Sequence, residues 1–406
     1  ELARLQEAST PGADVAEDDY GPEDDADAVD NYRRILEILG QVAAENIAPN
    51  AEQVDREGNH LNADGTVTLH ALVQENLKRL GQADMMGFIL PRKYGGLHCP
   101  IVLYTMATEI ISRADASLMN LFGLQGIGET ICAFASDEIK EELLPRFARG
   151  EMTGAMVLTE PDAGSDLAGI RTLAAEEGDT VVLNGVKTFI SNGLLCNLVI
   201  VAARDADLDN PHLGLSLYLV EDGTDGFSRG RHLEKMGWHS QDTAELFFTN
   251  CRIPATNRLG AKGYGFVMMM EKLQQERIVA ALGAVAAAER IMAWTIAFCT
   301  GHRAGGKPLS KHQAVQFAIV ELSTEVKLGR TFVDKLIADH IEGQKVVVET
   351  AMAKYWTTEM VKRVADRCLD LVGPHAMPDD HPLARAFRDA RVMSIFAGTN
   401  EIMKGI

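Results

Sequence analysis

The chain has 406 residues, a formal net charge of −19 at pH 7 and 46% hydrophobic residues, with mean hydropathy near zero. That describes a globular chain long enough for two or three domains. The charge disfavours nonspecific nucleic-acid binding, which needs clustered Lys and Arg. The most apolar windows carry charges such as Glu271 and Arg277, so no run is expected to approach the ~20 residues of a membrane-spanning helix.

Residues 8–30, "ASTPGADVAEDDYGPEDDADAVD", are acidic, small and turn-rich, and residues 1–30 are read as a disordered tail. From residue 31 the pattern turns helical. "YRRILEILGQVAAENIAP" spaces apolar side chains by three and four and is expected to stop at Pro49. "IVLYTMATEIISRADASLMNLFGLQGIGETICAFA" and "DEIKEELLPRFARGE" continue a helical domain over residues 31–153. The character changes near Met152. "TVVLNGVKTFI" reads as two strands joined at Asn184-Gly185, a strong hairpin signal. "NLVIVAARD", "GLSLYLVED" and "AELFFTNCRIP" complete a small β domain over residues 154–258. A helical period then holds over 259–406, broken only around 301–309 and 373–382. The order helices, strands, helices argues for three segregated domains, mainly α with a central β domain.

The six cysteines form no C-x-x-C pair and no zinc spacing. They are read as reduced thiols of a cytosol-like compartment, with no metal site. No signal peptide is visible, and a removed leader before Glu1 stays open.

The most specific stretch is "AMVLTEPDAGSDL", residues 155–167. It resembles the T-E-P-x-A-G-S-D signature of the acyl-CoA dehydrogenase family. "KTFISNG", "KMGWHSQDTAELFFTNCRIPATNRLG" and "RAFRDARVMSIFAGTNEI" follow in the family's order, and the resemblance covers nearly everything after residue 30. It implies an α-helical N-terminal domain, a β-barrel-like middle domain and a C-terminal four-helix bundle. It implies FAD as cofactor, an acyl-CoA substrate, an electron-transfer flavoprotein as acceptor, and a homotetramer in a bacterial cytoplasm or a mitochondrial-matrix-like compartment.

The implied flavin contacts begin with Met156, Leu158, Thr159 and Ser165. Thr159 and Ser165 offer hydroxyls, and Gly164 lets backbone approach a flat ring. Phe189, Ile190 and Ser191 belong to the strand expected behind the isoalloxazine, with Phe189 on the ring and Ser191 towards N5. Thr399 and Glu401 match the C-terminal signature. Ser165, Arg277 and Gly398 are expected near substrate.

The family usually carries its catalytic glutamate directly before G-T, where this chain has Ala397. Long-chain and isovaleryl-like members place that carboxylate on a C-terminal-domain helix instead, and Glu276 in "MMMEKLQQERIVAALGAV" matches this position. On a helix Glu276 shares a face with Met269, Leu273, Ala280 and Gly283. A carboxylate on an apolar stripe gains pKa by burial and suits a general base; the alternative from spacing alone is a surface glutamate at the stripe's edge. Ala397 keeps its backbone N–H, which the resemblance assigns to the thioester oxyanion. Glu276 would take the α-proton while hydride leaves the β-carbon for flavin N5, giving a trans-2-enoyl-CoA. Base placement on the helix goes with long or bulky acyl groups, and Gly283 is expected to widen the pocket. Arg277 matches an arginine near the CoA pyrophosphate, its alternative being a surface ion pair.

Two flavin-contacting loops depart from the family pattern. R-x-x-F-G-K becomes "HRAGGK", with His302 for arginine, Gly305 for phenylalanine, Arg303 one place along and Gln313 retained. Q-x-x-G-G-x-G becomes "DLVGPHA", with Asp370 for glutamine and Gly373 the surviving glycine. In the family both loops reach the FAD of a neighbouring subunit. The departures leave three readings open: loose FAD binding, pairing with a paralogous subunit, or a non-catalytic subunit. A flavin oxidase or monooxygenase on the same fold is the neighbouring enzyme reading.

Overall fold

A computed structural model describes residues 22–63, 66–123, 125–208, 210 and 213–406. The first helix, α1 (Asp25–Val42), starts inside the stretch read as disordered. Asp24 caps it by accepting from the backbone N–H of Ala26 and Asp27, and Asp25 and Asp27 lie in its first turn. Carboxylates there stabilise the positive end of the helix, so an acidic composition misleads at this point. Residues 1–21 of the same expectation lie outside the described residues.

Nor does the helical path stop at Pro49. A π-helical turn, Ala43–Ile47, leads into α2 (Ala48–Glu57), with Pro49 in the first turn. There its missing N–H is tolerated. A short ladder of β1 (His60–Leu61) with β2 (Val67–Thr68) precedes α3 (Ala71–Gln82). Then come α4 (Ile101–Ala114), α5 (Ala116–Gly123), α6 (Gln125–Phe134) and α7 (Asp137–Ala148).

The middle domain holds β3 (Gly154–Val157), β4 (Leu173–Glu177), β5 (Thr180–Ser191), β6 (Leu198–Asp205), β7 (Leu215–Glu221), β8 (Phe227–His232), β9 (Thr243–Pro254) and β10 (Arg258–Leu259). They pair in the order β10-β7-β6-β4-β5-β9-β8, and β3 also joins β6. Alternate residues of β6 and β7 serve two cores. Val199, Val201, Tyr218 and Val220 face Leu183, Leu246 and Phe248 inside the curled sheet. Leu198, Ile200, Leu217 and Leu219 face Ile131 of α6 and Leu144 of α7 on the other side. Burial on both faces explains why these strands read as unbroken apolar runs.

Asn184-Gly185 is not a hairpin. β5 runs through it as one 12-residue strand, with a register shift against β9 between Leu183 and Gly185. The actual turn joins β4 to β5 at Gly178, whose φ is +64°. Asn184 is occupied in accepting the Asn250 N–H (2.8 Å). Gly185 serves close approach, because a Cβ there would lie 2.3 Å from Thr172 Oγ1 and 2.8 Å from Thr172 Cα. We expect Gly185→Ala to destabilise the protein by about 1–3 kcal/mol, read as a lower urea midpoint.

The C-terminal region comprises α8 (Gly265–Gly301), α9 (Gln313–Ile341), α10 (Val347–Val372), α11 (Pro382–Val392) and α12 (Asn400–Gly405). The three long helices pack together, and α11 packs on α8 and α10 to complete the bundle. Contrary to the expectation from composition, α8 is long and apolar enough to cross a membrane, but 72% of its apolar window is buried inside the protein. The N- and C-terminal helices are also less segregated than their separation in sequence implies. One core cluster runs from Leu39 and Phe88 through Leu282 and Val285 to Met360 and Val364. The six cysteines are all free thiols.

Candidate active site

The T-E-P stretch follows β3. The Thr159 carbonyl accepts from Thr188 N–H (2.9 Å). Lys187 Nζ donates to the Leu158 carbonyl (2.9 Å) and to Glu160 Oε1 (2.9 Å). Lys187 is 0% and Glu160 7% exposed. Glu160 also accepts the N–H groups of Arg171 and Thr172. This buried ion pair binds the Thr159 loop to β5. Sequence reasoning missed it. The available signal was a lysine at an inward position of an alternating strand.

Just beyond Lys187 the β5–β9 register slips again, and Phe189 takes φ +57°. That angle is costly for a bulky residue, about 1–3 kcal/mol. The strain presents a ring that is 68% exposed. An exposed aromatic ring next to Thr188, whose N–H holds the Thr159 carbonyl, fits a flat ring system such as a flavin. Ser191 ends the same strand opposite Thr243. Met156 and Leu158 pack against the cluster that contains Met268 and Met269 of α8. The Ile190 side chain lies in the interior of the curled sheet, which leaves its backbone for any flavin contact. The period of two sends it to the opposite face from its neighbours.

Glu276 and Arg277 lie on α8 near the turn between α11 and α12. Ala397 has φ +52° and Gly398 φ +93°. Arg277 is buried, with Nε donating to the Ala397 carbonyl (3.4 Å). It is therefore not a surface ion pair. Trp238, itself at φ +60°, packs edge-on against Phe396 at 5.1 Å between ring centroids. It is clamped by Asp389, which accepts Trp238 N–H at Oδ1 (2.7 Å) and the indole N–H at its carbonyl (3.0 Å). A middle-domain loop thus meets the A-G-T-N turn and α8 at one place.

Glu276 is exposed on α8, which corrects the expectation of a buried side chain, yet desolvation by the surrounding protein pushes its carboxyl up to about 7. Arg277 pulls it down and Glu129 adds to the rise. Gly283 is buried against α4 and α5, where an added Cβ would meet Met119 Cε at 3.4 Å and Ser112 Oγ at 3.5 Å.

Of the remaining candidates, His302 and Arg303 lie at the far end of α8. At ~1.5 Å per residue the end of α8 is roughly 38 Å from Glu276. His302 caps that end, stacks on Phe298 (4.9 Å) and meets His375 edge-on (4.7 Å). Arg303 donates to the Gly306 carbonyl of its own turn. Gly305 and Gly306 have φ +57° and +80° between the paired residues Ala304 and Lys307. A two-residue turn of that hand favours glycine, which accounts for the lost phenylalanine. Gln313 is exposed at the start of α9, and Asp370 is exposed in the last turn of α10. Gly373, at φ +64°, ends α10. Its observed work is helix termination. Thr399 caps α12 by accepting from Ile402 N–H (3.3 Å), and Glu401 lies in that helix's first turn.

The sequence matches the N-terminal, middle and C-terminal domains of acyl-CoA dehydrogenase over residues 30–151, 155–251 and 263–406. The chain belongs to the acyl-CoA dehydrogenase family. The long-chain specific acyl-CoA dehydrogenase of rat mitochondria is 37% identical over 82% of this chain and 77% of its own length. The acryloyl-CoA reductase (NADH) of Anaerotignum propionicum is 33% identical over 91% of each chain. A crystal structure of an acyl-CoA dehydrogenase from Geobacillus kaustophilus superposes with a TM-score of 0.86 at 38% identity, covering 92% of this chain and 96% of the other. As an acyl-CoA dehydrogenase the chain is an oxidoreductase, built with the family's helical, sheet and helical domains.

Proposed function

We propose that this acyl-CoA dehydrogenase is FAD-dependent, uses Glu276 as its α-proton base and acts on long or bulky acyl-CoA thioesters. The observation that carries this reading is the Glu276 carboxyl, raised to about 7 on a helix whose next residue bonds the Ala397 carbonyl. A base near neutral pKa removes a weakly acidic α-proton without being fully protonated at working pH. Ala397 contributes its N–H to the thioester oxygen as negative charge develops there. Buried Arg277 stands beside that turn and stabilises anionic character in the substrate. Phe189, Thr159, Ser165, Ser191 and the backbone of Met156, Leu158 and Ile190 would hold the flavin. Bound FAD supplies the hydride acceptor for oxidation at the β-carbon.

An electron-transfer flavoprotein is the proposed acceptor, on family membership alone. A homotetramer is proposed from the exposed stripe of Phe317, Val320 and Leu328 on α9 (58%, 64% and 59%), which suits a packed neighbour. A paralogous partner is the alternative. In such an assembly His302, Arg303, Gln313, Asp370 and Gly373 would serve a neighbouring subunit's cofactor. His302 and His375 pack on each other within one chain, which favours co-adapted loops over decayed ones. The compartment is proposed as bacterial cytoplasm or mitochondrial matrix, since relatives include mitochondrial and bacterial proteins.

The test is anaerobic titration of FAD-loaded protein with acyl-CoA thioesters of graded length and branching. Loss of the flavin band near ~450 nm is expected. The rate should fall as pH drops below about 7, because protonated Glu276 cannot accept a proton. Protein that takes up no FAD, or binds it and is reduced by no thioester, defeats the proposal and favours the non-catalytic subunit. Reoxidation by oxygen faster than by an electron-transfer flavoprotein would instead indicate an oxidase.

A further inference from the structure

Lys354 is 0% exposed, two turns into α10. Its Nζ donates to the Gly398 carbonyl (2.6 Å) and to Asn400 Oδ1 (3.2 Å), both uncharged acceptors. A buried ammonium satisfied only by neutral oxygens is costly and poorly explained as core packing. What it holds is the Gly398–Thr399 peptide, one residue beyond the peptide whose carbonyl Arg277 holds. That turn has left-handed backbone at two successive residues. On one side it abuts Met403, whose Cε would lie 2.7 Å from a Cβ at Gly398. Arg277 holds the Ala397 carbonyl on another. Asn400 extends the grip, accepting from Thr358 Oγ1 (3.1 Å) and donating to Glu359 Oε1 (2.7 Å), both on α10.

We propose that Lys354 is a positioning residue: its ammonium fixes the Ala397–Gly398 turn so that the Ala397 N–H stays aimed at the substrate's thioester oxygen. This rests on the dehydrogenase reading above. The charge matters as well as the shape, because a charge-assisted bond to a carbonyl is roughly twice as strong as a neutral one. Burial, the principal cause, and then Arg277 of α8 pull Lys354 down to about 8. Glu359 of α10 and Glu401 of α12 oppose them, and Lys362 adds to the fall. Above about pH 8 the ammonium is lost and the turn loosens. The rate of flavin reduction should therefore carry an alkaline limb there, in addition to the acid limb set by Glu276.

The test compares unmodified protein with Lys354→Met and Lys354→Arg, all FAD-loaded. Lys354→Met should lower kcat on the order of 10²-fold, with KM changed less than about threefold, as expected for a misplaced catalytic group. It should weaken the enolate absorbance of a bound 3-oxoacyl-CoA and abolish the alkaline limb. Lys354→Arg keeps a charge at high pH and should recover much of the rate while removing the limb near 8. In cofactor-free protein, hydrogen–deuterium exchange at residues 397–400 should speed up in Lys354→Met. A folded Lys354→Met with kcat within about twofold, an unchanged enolate band and unchanged exchange overturns the proposal. So does an alkaline limb that persists in Lys354→Arg, a result that decides the matter even if the Met variant fails to fold. Failure of unmodified protein to be reduced by any acyl-CoA strikes the dehydrogenase reading itself, while exchange at 397–400 still reports on the tether.

Discussion

Glu276→Gln should abolish reduction of bound FAD by acyl-CoA, with a rate loss on the order of 10²–10⁴. Substrate affinity should change little. The amide keeps the size and hydrogen-bonding outline of the carboxyl and loses only its basicity. Stopped-flow absorbance measures both quantities, as the limiting reduction rate and its half-saturating concentration. Stability separates this loss from misfolding. The carboxyl's pKa is raised in the folded state, so Glu276 favours folding below its ordinary value near 4.5 and opposes it as pH rises through about 7. Above pH 7 the amide should therefore leave the urea midpoint unchanged or raise it. A variant that retains more than a tenth of the wild-type reduction rate would remove Glu276 from the mechanism. With Ala397 before the G-T pair, no side chain at the family's more usual position could then replace it.

Lys187→Met should be the most destabilising change in the middle domain, by about 3–5 kcal/mol. It leaves Glu160 buried with only the N–H groups of Arg171 and Thr172 as donors. The two partners respond differently to burial. Glu160 lies below its ordinary value despite desolvation, because Lys187 and the two amides favour its charged form. Lys187 is pulled down to about 8, since burial outweighs the pull of Glu160. Both are therefore charged at pH 7. The Glu160 contribution is present above its unfolded value near 4.5 and is lost as pH falls through its lower folded value. The double variant Lys187→Met/Glu160→Gln should recover much of the loss, because no uncompensated charge remains. Urea melts of the two single variants and the double variant measure the coupling. Additive losses would mean the pair does not act as a unit. FAD affinity should fall with Lys187→Met as well, since the same ammonium holds the Leu158 carbonyl beside Phe189.

The sequence by itself determined the order of the three regions, because apolar periods of 3.6 and 2 survive in any context that buries one face. Spacing alone does not single out Glu276, since a surface glutamate at the stripe's edge fits it equally well; the family resemblance and Ala397 before G-T do. Local signals failed where tertiary partners override them. Asn184-Gly185 carries a turn signature, but Thr172 and Asn250 make it a bulge within one strand. Pro49 marks a stop, but a π turn leads into α2, which carries the chain past it. Lys187 and Lys354 are lysines in otherwise apolar surroundings, and their acceptors lie 27 and 44 residues away. No spacing rule reaches that far. Only folding brings Glu160 and the Leu158 carbonyl, or the Gly398 carbonyl and Asn400, against a buried ammonium. The environment of Glu276 is tertiary for the same reason. Its carboxyl reaches about 7 because the folded protein desolvates it and Glu129 of α6 adds to the rise, and neither effect can be read from α8 alone.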